Sequence, residues 1–201
     1  MTRIETVEDL ERLYGSAVPA SLSKVVTRLE GAHAQWIEAS RFVVMSTVGP
    51  EGTDGSPRGD VGPVARIVDP QTLAIPDWRG NNRLDSLRNI VRDGRISLMF
   101  FVPGSTSVVR VNGQASLTAD PEMTSSFERK GSHPATVILV SAQEIYVQCA
   151  KAILRSELWR EGDRSDEVPT AGDLIAEGSG GRDGGESYDD RYEERAQDRM
   201  W

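Results

Sequence analysis

The stretch from residue 41 to residue 149 most constrains what this chain can fold into. It holds six runs rich in β-branched and apolar residues: 41–48 ("RFVVMSTV"), 63–68 ("PVARIV"), 72–76 ("TLAIP"), 95–102 ("RISLMFFV"), 107–119 and 135–149. Parallel strands each need a crossover of a dozen or more residues, usually a helix. Few helices fit between these runs, so the pattern predicts a mainly β fold: a six-stranded antiparallel β-barrel with flanking helices. "GPEGTDGSPRGD" between the first two runs reads as turn-prone, and Gly113 is expected to bend the long fifth run.

Helices are expected around this sheet. Thr6 with Asp9 opens "VEDLERLY", and Gly15 stops it. From Pro19 to Ser40 apolar residues recur at helical spacing, with an interruption at Gly31. Further helices are predicted over Asn82–Val91, Pro121–Lys130 and 150–159.

Of the 31 acidic residues, 13 fall in residues 161–201 against 5 arginines, so residues 1–160 are neutral at 18 against 18. We therefore expect a body over 1–160 and an acidic tail over 161–201. No clustered basic surface is visible for a polyanion, which argues against nucleic acid as a partner. "EGSGGRDGGES" reads as a flexible linker. Tyr188, Tyr192, Ala196 and Met200 recur at helical spacing and predict an amphipathic helix that docks on the body or on a partner subunit, with disorder as the alternative. No run approaches the roughly 18 apolar residues of a membrane span, and the N-terminus is charged rather than signal-like. With one cysteine, Cys149, no intrachain disulfide can form, and a cytoplasmic protein is expected.

Several chemistries lack their residues. Two histidines a hundred positions apart, His33 and His133, make a metal site improbable, and each reads as a surface or packing residue. There is no G-x-S-x-G elbow, and Cys149 reads as a small buried residue at a strand end. Neither a Walker loop nor a G-x-G-x-x-G follows a strand.

One reading of "IPDWRGNNRLDSLRNI", residues 75–90, is another anion site. Asn82 would cap the helix with Asp85 as its capping-box partner, and the helix would bury Leu84, Leu87, Ile90 and Val91. Its free N–H groups would then face a loop carrying Arg79, Gly80, Asn81 and Arg83, which suits a phosphate monoester. A solvated turn before a capped helix explains the same spacing.

"RFVVMSTVGPEGTDGSPRGD", "LAIPDWRGNNRLDSLRNI", "RISLMFFVPGSTSVVRVNGQASLT" and "YVQCAKAILRSELW" together resemble the pyridoxamine 5'-phosphate oxidase-related family of flavin-binding split β-barrels. The likeness is to bacterial members of undefined activity more than to the oxidase. It implies a homodimer with two FMN molecules in clefts between subunits. Arg58, Gly59 and Asp60 match a strand that lines the flavin, Ile75, Pro76 and Asp77 a strand whose backbone runs along it, and Asn82 and Arg83 the phosphate-binding positions. Leu87 on the following helix completes the implied set.

The oxidase's Arg-x-His signature is missing from "QCAKAILRSELW", which argues against a phosphorylated vitamer as substrate. The family glutamine that reaches the partner's flavin falls near Val108, so that contact is not carried over to Val108 or Arg110. Lys151, directly after the last run, is a candidate for attracting an anionic substrate or stabilising reduced flavin; a surface lysine is the plainer reading. The expected function is an FMN-dependent oxidoreductase acting on a small molecule. The alternatives are a non-catalytic carrier or sensor of flavin, deazaflavin or haem, and a structural dimer whose acidic tail binds a basic partner.

Overall fold

The computed structural model describes residues 3–198 together with Met200 and Trp201. Seven strands form one antiparallel sheet: β1 (Phe42–Gly49), β2 (Gly52–Gly59), β3 (Arg66–Asp69), β4 (Thr72–Asp77), β5 (Arg95–Phe101), β6 (Val108–Thr118) and β7 (Thr136–Gln148). Their order across the sheet is β2-β1-β5-β6-β7-β4-β3, and every pairing is antiparallel. The fold is thus mainly β, as expected, with seven strands instead of six.

The additional strand, β2, occupies the glycine-rich stretch read as a turn. Only Pro50 and Glu51 turn; Gly49 pairs with Gly52, and the ladder continues to Phe42 opposite Gly59. β2 is an edge strand, where Pro57 and several glycines are tolerated because one side needs no ladder partners.

Alternation places Val43, Met45, Leu98, Phe100, Val111 and Ile145 in the core, closed by Ile37 from the helix over Gly31–Ala39 and by Leu87 and Ile90 from the helix over Asp85–Arg92. The register of β6 on β7 shifts between Asn112 and Gly113, and a Cβ at Gly113 would collide with the Ser141 carbonyl. The expected bend is therefore a β-bulge whose additional residue, Gln143, lies on β7 opposite the Asn112–Gly113 step.

Helix α1 (Val7–Tyr14) forms as predicted, with Thr6 accepting from Asp9 N at 3.1 Å. The helix expected from Pro19 to Ser40 is two, α2 (Pro19–Ser23) and α3 (Gly31–Ala39). Between them Val26 exchanges two backbone hydrogen bonds with Ile145, at 2.9 and 2.8 Å, and the sheet claims that segment. Helix α4 runs over Asp85–Arg92, α5 over Pro121–Ser125 and α6 over Lys151–Ser156.

The segment read as a flexible linker is partly helical. α7 (Ala171–Ser179) starts with a capping box between Thr170 and Asp173, and Asp189 accepts from Thr170 Oγ1 at 2.6 Å and from Gly172 N at 2.9 Å. The predicted terminal helix is split into α8 (Glu186–Asp189) and α9 (Tyr192–Asp198), with the Tyr188 and Tyr192 rings 5.9 Å apart. Beyond them the Trp201 ring meets Trp78 of the body edge-on, 5.1 Å between centroids. Cys149 is exposed just past β7, contrary to the expected burial. No helix among the described residues is long and apolar enough to cross a membrane.

Candidate functional site

The two flanks of the sheet meet through side chains, not through a ladder. Near the end of β2, Arg58 pairs with Asp77 at the end of β4, and these side chains are 22% and 13% exposed. Beyond both strands the Trp78 indole N–H donates to Asp60 Oδ2 at 3.2 Å. Above this seam, α4 and the loop leading into it bound a cleft of about 1020 Å³, lined by residues 54–58 and 77–87 with His133, Ala135 and Thr136. That volume suits a cofactor-sized ligand.

The loop is built around two left-handed residues, Asn82 (φ 60°) and Leu84 (φ 61°). Asparagine tolerates this region, whereas a leucine held there costs on the order of 1 kcal/mol. Leu84 is the N-cap residue of α4 and offers no side-chain hydrogen bond. The predicted cap at Asn82 and capping box with Asp85 therefore do not form. Asp85 sits at the first helical position, and its carboxylate accepts from Arg83 Nε at 2.8 Å instead. Asn81 Oδ1 accepts from Arg83 N at 3.1 Å and fixes the turn locally. Leu84 and Val91 are exposed and contribute nothing to the core that Leu87 and Ile90 join.

Of the residues singled out in the sequence, Arg58, Asp77, Asn82, Arg83 and Leu87 line the cleft. Gly59, Asp60, Ile75 and Pro76 do not. The Asp60 carboxylate is 3% exposed; it accepts from Trp78 and from Gly62 N, and faces Arg129 Nε at 3.5 Å. Ile75 and Pro76 are buried with the middle of β4, which is covered on both faces. Lys151 is exposed at the start of α6, past the opposite end of β7 from Thr136, roughly 40 Å along a 13-residue strand. Within one chain it is not part of the cleft.

Sequence reasoning passed over Asp54, Ser56, Trp78, Ser86, His133 and Thr136, all of which line the cleft. Asp54, Ser56 and Arg58 alternate along β2, a signal that becomes readable once that stretch is a strand. The cleft is close to charge balance: Arg58 faces Asp77, Arg83 faces Asp85, and Asp54 accepts from Ser86 Oγ. Arg79 makes no ion pair among the described residues. Two buried polar atoms of the lining, Arg58 Nε and Thr136 Oγ1, have no hydrogen-bond partner among the described residues.

The family model for pyridoxamine 5'-phosphate oxidase matches residues 29–149. The chain belongs to this family. The matched region contains the whole cleft lining and excludes Lys151 and the acidic tail. No curated protein matches the sequence significantly.

Among solved structures, the oxidase-family chain is similar to a variant of HupZ from Group A Streptococcus, at 17% identity and TM-score 0.48, covering 60% of this chain and 99% of that one. It is also similar to a pyridoxamine 5'-phosphate oxidase-related, FMN binding protein from Nostoc punctiforme, at 13% identity and TM-score 0.43, covering 59% and 82%. A third similar structure is an F420 reductase, at 14% identity and TM-score 0.42, covering 59% and 98%.

Proposed function

We propose that the protein binds FMN in the cleft and is an FMN-dependent oxidoreductase acting on a small molecule. The observation that carries this reading is the pair of buried, unpartnered polar atoms, Arg58 Nε and Thr136 Oγ1, in the lining of a cofactor-sized cleft within the family-matched region. Buried polar groups left without partners are costly, so they mark where a polar ligand would be gained.

The phosphate end would lie at the loop and the first turn of α4. The N–H groups of Asp85, Ser86 and Leu87 have no intrahelical acceptor there, and Arg79 and Arg83 supply charge. Arg83 would exchange Asp85 for the phosphate, a small cost because that pair is exposed. The Arg58 guanidinium, held by Asp77, would present Nε to the polar part of the ring system, and the β4 backbone through Asp77 would run beside it. Bound flavin supplies the redox step by accepting and passing on a hydride or electrons.

A second subunit would complete the site. Phe42 is exposed beside the Phe101 ring at 6.0 Å, an apolar patch on β1 and β5 suited to burial between two copies.

Purification should yield a yellow protein whose chromophore, released by denaturation, has the mass of FMN. NADH or NADPH should reduce it and oxygen reoxidise it. A colourless protein that FMN does not reconstitute would refute the reading. His133 in the cleft lining favours haem as a second reading, which a Soret band lost in His133→Ala would establish.

A further inference from the structure

Of the three side chains that β2 turns to the cleft, the outer two are committed to other elements: Arg58 to Asp77 of β4, and Asp54 to Ser86 of α4. Ser86 is the second residue of α4 and is 4% exposed. One turn later Asn89 Nδ2 donates to the buried Thr47 Oγ1 at 3.2 Å, and the missing side chain of Gly49 leaves room, since a Cβ there would strike the Asn89 amide. α4 is therefore fastened to the β1–β2 hairpin at two polar points, one turn apart, on the face where it also buries Leu87 and Ile90.

Apolar contacts alone would hold the helix at lower desolvation cost, because burying a hydroxyl beside a carboxylate is expensive until both are satisfied. The polar pair adds direction, fixing the rotation and height of the first turn relative to the cleft. It also spends the only hydroxyl proton of Ser86, so at this position a ligand finds the backbone N–H and not a side-chain donor.

We propose that Asp54 and Ser86 are positioning residues that set the first turn of α4 against the phosphate of the bound cofactor. This rests on the FMN reading of the cleft. The hydrogen bond carries the role and the Asp54 charge opposes it, because a carboxylate beside a phosphate site repels the ligand. A neutral acceptor at position 54 positions the turn equally well and repels less.

The test titrates the full-length apoprotein and its variants with FMN and with riboflavin, which lacks the phosphate. Ser86→Ala and Asp54→Ala each weaken FMN by about tenfold relative to riboflavin, and the double variant loses no more than either single one. Ser86→Thr and Asp54→Asn hold FMN as tightly as the wild type or tighter. Equal losses for both flavins, additive losses, or an Asp54→Asn variant as weak as Asp54→Ala would overturn the positioning role. If Asp54→Ala does not fold, Ser86→Ala against Ser86→Thr decides. A wild type that binds neither flavin overturns the cofactor reading and this inference with it, whereas flavin binding unaltered in Ser86→Ala overturns this inference alone.

Discussion

Arg58 holds the barrel seam through one face of its guanidinium and leaves Nε buried without a partner. Asp77→Ala would strand that charge in a mostly buried position, so it should lower the stability of the apoprotein by on the order of 2 kcal/mol in urea melts, less than a fully buried pair would cost. Arg83 is the opposite case: its side chain is 77% exposed and, among the described residues, pairs only with exposed Asp85. Arg83→Ala should shift stability by less than about 0.5 kcal/mol yet sharply weaken FMN retention, read from the flavin remaining after dialysis. At this scale the sequence singled out Arg58, Asp77, Asn82, Arg83 and Leu87, which the fold brings to the lining of the cleft, because residue type and motif suffice to name them. It could not tell that the side chains of Ile75, Pro76 and Asp60 lie outside that lining. Which side of a strand faces a cleft depends on what covers the other side, and β4 is covered on both.

β2 was the least legible element, since its glycines and Pro57 satisfy every local rule for a turn. Pairing with β1 overrides those propensities, and the alternation of Asp54, Ser56 and Arg58 became visible only then. The split between α2 and α3 has a similar origin, a backbone exchange between Val26 and Ile145 more than a hundred residues apart. Gly113 was legible because a lone glycine in a long apolar run signals a bulge. Gly113→Ala should destabilise by at least about 2 kcal/mol in denaturant melts, since the Ser141 carbonyl in its way is backbone and cannot rotate aside. Where α4 hands over to β5, Asp93 accepts from the Arg95 side chain and backbone, which holds its carboxyl down to about 2. A depressed carboxyl contributes stability that is whole above its ordinary value near 3.8 and disappears as pH falls toward 2. Side-chain NMR titration should place Asp93 at that lower value and return it to the ordinary one in Arg95→Ala.

For the whole molecule, the sheet closes by an ion pair and an indole hydrogen bond instead of a final ladder, so Arg58, Asp77 and Trp78 serve both the seam of the barrel and the wall of the cleft, while Asp60 serves the seam alone. The antiparallel class was readable from strand count and linker length; this closure was not, since nothing local in β2 or β4 announces the other. A chain ending at residue 160 should keep the cooperative melt of the body, because among the described residues α7 packs on α8 and α8 on α9 with no comparable packing onto the sheet. Loss of that melt would make the tail part of the fold. Among the described residues a single aromatic contact between tail and body joins Trp201 to Trp78, beside the cleft. Two of the four indoles in the chain are thus gathered at one spot. Their emission doubles as an optical gauge: a flavin in the cleft would quench it by energy transfer, whereas departure of the tail would part the two rings and shift the emission of both without that quenching, so cofactor arrival and tail release can be told apart without any attached dye.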